Sequence, residues 1–381
     1  MSRALLAVVA ALAVSASPVQ ASSGASTDTA AEPRVSASAW YLVGADGEVL
    51  AAHRARQRRA IASITKLMTA AVALERVGLS ETVTVDPRVA AVGESTAYLR
   101  PGETLSMADL IRATLVPSGN DGALALAYHV GQGSVSRFVE LMNAKARELG
   151  LVDTTFRNPH GLDEPGHISS ARDATVLLRY ALGTPFIRDA LARESVELPG
   201  GRVVPTTDDL LASWPPLVGG KTGHTRLAGW SQAAAAEGRG AVVYGTVLGT
   251  ASRAERNEAV RSLLEHGLER YRRVAAISAG RTYGEAATGY GRPAVPLVAP
   301  RSILRTVRDD VALVERVVAP ASVALPVRAG QRVGSVEVWN GNTLLASSPL
   351  VAAREVAEPG LLGKVSWYAR TTMSNLWGLV S

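Results

Sequence analysis

A serine and a lysine stand three residues apart in Ala62-Ser63-Ile64-Thr65-Lys66. They open a segment whose apolar residues recur at helical spacing from Ser63 to Val77. Three apart on a helix is one face, so the amine of Lys66 can reach the hydroxyl of Ser63. That pair makes an activated nucleophile if the lysine is neutral, which requires burial or a second cation beside it. Two further segments supply partners. Pro117-Ser118-Gly119-Asn120 places a hydroxyl and an amide two apart at a junction between helices, where both can face a cleft. Gly219-Gly220-Lys221-Thr222-Gly223-His224-Thr225 offers a second cation in Lys221. Its glycines let a substrate backbone approach a strand edge, and Lys221 and Thr222 can hold a carboxylate there. Each segment alone has a plainer reading: Ser63 as a helix cap, Ser-Gly-Asn as a turn before a helix, the glycine run as a strand with an exposed lysine. Those readings explain any one segment and explain all three in this order poorly.

Lysine usage points to the same places. Of 40 basic side chains, only Lys66, Lys145, Lys221 and Lys364 are lysine, and 36 are arginine. Arginine stays charged at any working pH, whereas lysine can shed its proton in a suitable site. A chain that writes arginine so freely has a chemical reason to keep lysine at positions 66 and 221.

Around these groups the pattern is mixed. Val35 to Leu50 reads as two short strands about a Gly44-Ala45-Asp46-Gly47 turn. Helical spacing follows over 63–77, 107–116, 121–130 and 135–149. A strand hairpin, Gly229 onward and Ala241 onward about Glu237-Gly238-Arg239-Gly240, comes next, then a closing helix over 253–273. Strands first, helices in the middle and strands returning late describe an α+β domain, an antiparallel sheet with helices packed on it. Residues 274–357, rich in Val, Pro and Gly with a turn at Asn340-Gly341-Asn342, read as a separate small all-β domain. The last segment, 358–381, spaces Leu361, Leu362, Val365, Tyr368 and Met373 on one side and Lys364, Ser366 and Arg370 on the other. That is an amphipathic helix suited to a membrane surface, with docking on the chain's own β domain as the alternative. Trp367 falls on the polar side and suits neither.

Ser-Ile-Thr-Lys, Ser-Gly-Asn and Lys-Thr-Gly in this order resemble the active-site motifs of the penicillin-binding proteins and serine β-lactamases. Lys-Thr-Gly-His-Thr, Asn158-Pro-His160-Gly161-Leu162-Asp163, Ser170-Ala-Arg172-Asp173 and Pro-Val-Arg-Ala-Gly-Gln-Arg-Val-Gly narrow the likeness. They resemble the low-molecular-mass D-alanyl-D-alanine carboxypeptidases of peptidase family S11, over residues 35–381. The resemblance implies a β-lactamase/transpeptidase-like catalytic domain over 35–273 and a peptidoglycan-peptide substrate, with β-lactams as covalent inhibitors. It implies that Ser63 attacks the carbonyl between two D-alanines with Lys66 as base, that Ser118 relays a proton beside Lys221, and that Asn120 orients Lys66. Thr222, Gly223, His224 and Lys221 would bind substrate, with backbone N–H groups of Ser63 and His224 as oxyanion donors. The family often carries an arginine near the carboxylate pocket where Arg256 stands; in so arginine-rich a chain a surface position is the favoured reading. Two departures are mild: Ala60-Ile61 where many members have proline, and Thr206-Thr207-Asp208-Asp209 where an Asn-Thr-Asn-like run is usual.

The remaining features bound the alternatives. Arg3, the apolar run Ala4 to Ala16 and the small residues ending at Ala21 have the layout of a secretory leader over 1–21, followed by a flexible Ser/Thr/Ala-rich stretch over 22–34. Export to the periplasmic side, attached at the outer face of the cytoplasmic membrane, follows as an expectation. The formal net charge of +6 then concerns wall polymers and anionic headgroups rather than nucleic acid. The chain has no cysteine, so thiolate chemistry is excluded. The other histidines lack metal-ligand spacing and no phosphate-binding glycine loop is present, so neither metal nor cofactor is expected. No Glu-x-x-Leu-Asn-like segment lies between Asn120 and Lys221, which argues against a class A β-lactamase. A D,D-endopeptidase would share every motif, and a non-catalytic wall-binding protein would have no use for the two lysines.

Overall fold

The computed structural model describes residues 12–18 and 33–377. Its chain divides into two compact units, one ending at Tyr271 and the other beginning at Arg272 and including the strand Leu12–Pro18.

The first unit is built on a five-stranded sheet in the order Val49–His53, Ala39–Gly44, Ala241–Thr250, Gly229–Gly238, Leu217–Thr225. Every neighbouring pair is antiparallel. Both faces are covered, and the run Ala233-Ala234-Ala235-Ala236 shows how. Side chains alternate across a strand, so Ala233 and Ala235 enter the core beneath the helices Lys66–Leu74, Met107–Leu115, Val135–Glu148 and Ala171–Leu182. Ala234 and Ala236 enter a second core with Trp40, Leu42 and Val243, closed by Val260, Leu263 and Leu264 of the helix Arg253–Glu269. A strand buried on both faces needs no polar alternation, which is why this one reads as an unbroken apolar run.

The boundaries near the motifs are sharper than helical spacing indicates. Residues Ala62–Thr65 form a single 3-10 turn, and the α-helix proper is Lys66–Leu74. Ala62, with a φ of +47°, is left-handed, so no right-handed helix extends ahead of this turn. The next motif helix begins at Asn120 itself and runs to Val130.

In the second unit the sheet has seven strands, with Leu12–Pro18 antiparallel to Leu313–Pro320 at one edge. Its centre is the hairpin Arg332–Asn340 and Thr343–Ala352, turning at Gly341 with φ +52°. Val295, Leu297, Val336, Val338 and Leu350 form its core. The leader reading of residues 1–21 otherwise lies outside the described residues, as does the stretch 22–32. The chain ends in the helix Leu361–Trp377. Trp367 and Lys364 hold it to the β domain: Trp367 packs edge-on against Tyr290 at 5.6 Å and Lys364 lies 5.5 Å over the same ring while pairing with Glu358. Leu361, Leu362 and Val365 stay 83%, 88% and 66% exposed. The helix therefore docks through its polar and indole side, which accounts for Trp367, and leaves its apolar stripe uncovered.

Candidate active site

Ser63 sits in the 3-10 turn and Lys66 starts the helix that follows, so the two side chains leave the same end of one element. Lys66 Nζ lies 2.7 Å from Ser63 Oγ, 2.6 Å from Asn120 Oδ1 and 2.9 Å from the carbonyl oxygen of His160. The side chain is 0% exposed. Burial, then the charge of Lys221, hold its pKa well below the usual lysine range, against the opposing pull of Asp121 and Glu94. The three partners agree with a neutral amine. Asn120 Oδ1 and the His160 carbonyl can only accept, and they take the two N–H bonds of an uncharged amine. Its one lone pair then faces the hydroxyl, the single partner able to donate.

Asn120 is held in turn. Its Nδ2 donates to the Gly93 carbonyl at 2.9 Å and its backbone N–H to the Ser95 carbonyl at 2.8 Å. Asp121, next in sequence and buried, fixes that loop by accepting from Thr96 Oγ1 and from the backbone N–H groups of Ala97 and Leu99. Below Ser63, Thr65 Oγ1 lies 2.8 Å from His167 Nε2, while His167 Nδ1 accepts from the Arg157 backbone at 3.1 Å. That acceptor role fixes the tautomer, so Nε2 carries the hydrogen. Burial pushes His167 down to about 4 and His160 to about 3, so both are neutral struts in ordinary buffers.

A cleft of about 420 Å³ opens above these groups, lined by Ser63, Ser118, Asn120, Thr222, Gly223, His224, Trp230 and Arg256 among others. Ser118 reaches it from a left-handed conformation, φ +62°, a strained geometry for a residue with a Cβ. On the far wall runs Leu217–Thr225, the edge strand of the sheet. Lys221 is 1% exposed behind it, and burial together with Arg256 lowers its pKa to about 7 against the pull of Asp208. Thr222 Oγ1 is 2.7 Å from Thr207 Oγ1, and His224 stacks on Trp230 with ring centroids 4.1 Å apart. Gly223 lets this wall, and Gly161 lets the 158–163 segment, meet the turn that carries Ser63. A Cβ on Gly223 would stand 2.8 Å from the Ile61 carbonyl oxygen, and one on Gly161 would stand 2.0 Å from that of Ala62.

Arg256 corrects the surface reading. It is 2% exposed and lines the cleft, because the first turn of the helix Arg253–Glu269 aims it inward. Its guanidinium hydrogen-bonds Asn257, lies 3.5 Å from Asp209 and sits 5.9 Å over Trp230.

The sequence profile described as D-alanyl-D-alanine carboxypeptidase, of peptidase family S11, matches residues 26–252. The chain belongs to this family. Residues 271–358 match a second profile, the C-terminal domain of penicillin-binding protein 5. Among curated relatives, the D-alanyl-D-alanine carboxypeptidase DacC of Escherichia coli is 32% identical over 90% of this chain and 89% of its own. DacD of Salmonella typhimurium is 31% identical over 88% and 90%. Penicillin-binding protein 5 of Haemophilus influenzae superposes with a TM-score of 0.63 at 27% identity, covering 86% of this chain and 99% of that one. This family member is thus a serine hydrolase with the penicillin-binding-protein fold, followed by an all-β domain and a terminal helix.

Every residue taken from the three motifs reaches the cleft or the buried lysine pair behind it. Motif reasoning missed the supports: the His160 carbonyl on Lys66, Gly93 and Asp121 behind Asn120, His167 under Thr65, and Trp230. The Asn-Pro-His-Gly segment was visible only as a likeness, since a backbone carbonyl leaves no trace in residue type.

Proposed function

We propose that this carboxypeptidase removes the terminal D-alanine of peptidoglycan stem pentapeptides through an acyl-enzyme on Ser63, and that β-lactams acylate the same oxygen. The observation that carries this is the partner set of Lys66, two obligate acceptors and one hydroxyl around a buried amine. Ser63 Oγ attacks the carbonyl between the two D-alanines as its proton passes to Lys66. The backbone N–H groups of Ser63 and His224 take the oxyanion. Lys66 returns that proton through Ser118, whose hydroxyl gives one proton to the departing nitrogen and takes another from Lys66; the C–N bond breaks, D-alanine leaves and Lys66 is neutral again. Water, deprotonated by Lys66, then cleaves the ester and restores the Ser63 hydroxyl. Lys221, Thr222 and Arg256 hold the substrate carboxylate, and Gly223 lets the peptide backbone lie along the strand.

Intact-mass analysis after benzylpenicillin, beside D-alanine release from a diacyl-D-Ala-D-Ala peptide, tests this. The wild type is expected to show one adduct on Ser63 and steady release, and Ser63→Ala neither. An adduct without release would favour an endopeptidase, and no adduct would remove the nucleophile assignment.

We place the enzyme outside the cytoplasmic membrane, attached peripherally through Leu361–Trp377. No helix among the described residues is long and apolar enough to cross a bilayer. Charge supports attachment: residues 1–271 carry 27 basic and 27 acidic side chains, whereas residues 272–381 carry 13 and 7, the whole net +6. Such a surplus is attracted to anionic headgroups by about 1 kcal/mol per basic side chain near the surface. In vesicle sedimentation, Leu362→Asp with Val365→Asp is expected to release the protein from anionic vesicles and leave peptide hydrolysis unchanged. Undiminished binding would refute the helix as the anchor.

A further inference from the structure

Two charges at the cleft take no part in the proposed mechanism. Glu94 is the one carboxylate among the described residues that line the cleft, and Arg226 lines it just past the last residue of the edge strand. Both side chains are exposed, and neither makes a hydrogen bond or ion pair among the described residues. The other cations there are engaged: Arg253 pairs with Asp209, and Arg256 hydrogen-bonds Asn257.

Glu94 is also held where it stands. Asn120 grips the chain on either side of it, its Nδ2 on the Gly93 carbonyl at 2.9 Å and its backbone N–H on the Ser95 carbonyl at 2.8 Å. Between those two bonds Glu94 has a φ of +65°, a conformation that glycine or asparagine would adopt at less cost. The protein keeps a long charged side chain there without any internal contact to offset the strain. Such an outlier at the rim of a site points to a role in that site. The direction of the substrate says which role. With its terminal carboxylate at Thr222 and its scissile carbonyl at the His224 N–H, a peptide along the edge strand runs upstream toward Thr225 and Arg226. A strand advances about 3.3 Å per residue, so the third residue of the stem comes level with that end of the cleft.

We infer that Glu94 and Arg226 are specificity residues for the third position of the stem, matched to a side chain ending in both an ammonium and a carboxylate, as in a diamino dicarboxylic acid. Glu94 takes the ammonium, and the planar guanidinium of Arg226 takes the carboxylate. A lysine there would engage Glu94 alone, and a neutral side chain neither. This inference rests on the substrate and the binding direction proposed above.

The test uses three D-Ala-D-Ala peptides that differ only at the third residue: the diamino dicarboxylic acid, lysine and Nε-acetyl-lysine. Exposed charge pairs are weak, so kcat/KM for D-alanine release at low salt is expected to fall about threefold to fivefold at each step down that series. Glu94→Gln should erase the step between lysine and acetyl-lysine and keep the other. Arg226→Gln should erase the step between the dicarboxylic acid and lysine and keep the other. The ratios between peptides are the readout, because Glu94 also bears on Lys66, and a disturbance of that lysine or of Asn120 lowers all three rates alike. An equal loss on every peptide would overturn the inference, as would steps that survive both substitutions or a wild type indifferent to the third residue. Failure of the wild type to release D-alanine from any of the three would instead strike the function proposed above.

Discussion

The Lys66→Arg enzyme is expected to lose acylation by benzylpenicillin by about a thousandfold, with its fold retained. Arginine keeps its charge at any working pH and has no lone pair to offer. The proton of Ser63 would have nowhere to go, although a cation would still stand beside the hydroxyl. The variant thus separates proton acceptance from electrostatic attraction, which Lys66→Ala would not. Lys66 is fully buried and arginine is longer, so a melting curve must accompany the kinetics. Adduct formation followed by intact mass is the readout. A folded variant that keeps more than a tenth of the wild-type rate would show that Lys66 is not the base.

The second large effect is expected at Gly161, which makes no hydrogen bond to Ser63 or Lys66. Its φ is +90°, and an added Cβ would stand 2.0 Å from the Ala62 carbonyl oxygen and 3.0 Å from the Ser63 amide nitrogen. Those are main-chain atoms and cannot rotate aside as a side chain would. Gly161→Ala must displace either the turn that carries the nucleophile or the loop whose His160 carbonyl holds Lys66. The first outcome is a stability loss of about 3–5 kcal/mol in chemical denaturation, beyond the usual cost of a Cβ at positive φ. If the loop yields instead, stability falls less and acylation drops about a hundredfold through misplacement of the reacting groups. A variant with native stability and native acylation would mean that the two segments are not in contact.

Side chains that carry charge or nucleophilicity announced themselves in the sequence. Ser63, Lys66, Ser118, Asn120 and Lys221 could be picked out because their types are chemically restricted and their order is specific. Four of the central helices were legible from periodicity, because burial imposes a repeat, and the β domain from its Val, Pro and Gly content, whereas the helix Ala171–Leu182 was not read. What could not be read was whatever acts through the main chain or through a rare conformation. The left-handed turns at Ala62 and Ser118 put ordinary residues where glycine would be expected, so nothing in their identity marks them. The carbonyls of Gly93 and His160 are invisible for the same reason. Arg256 failed differently: among so many arginines its burial could be seen only once the closing helix was placed against the sheet. Trp367 looked misplaced while the helix was considered alone, and its partner Tyr290 lies 77 positions earlier in the chain.

The strand Leu217–Thr225 ends its sheet, and an unpaired sheet edge invites any other strand to join it. Here the five residues Gly219 to Gly223 are nonetheless buried, walled in by Leu191, Thr207 and the turn at Ile61-Ala62. The vacant pairing partner can be supplied only from within the cleft. A strand already belonging to a folded domain brings its neighbours with it and meets those walls. A single extended chain end, free of its own hydrogen-bond partners, can slide in. The enclosure therefore sorts its visitors by flexibility before any side chain tests their identity, and a loose peptide tail dangling from a polymer passes where a globular surface does not.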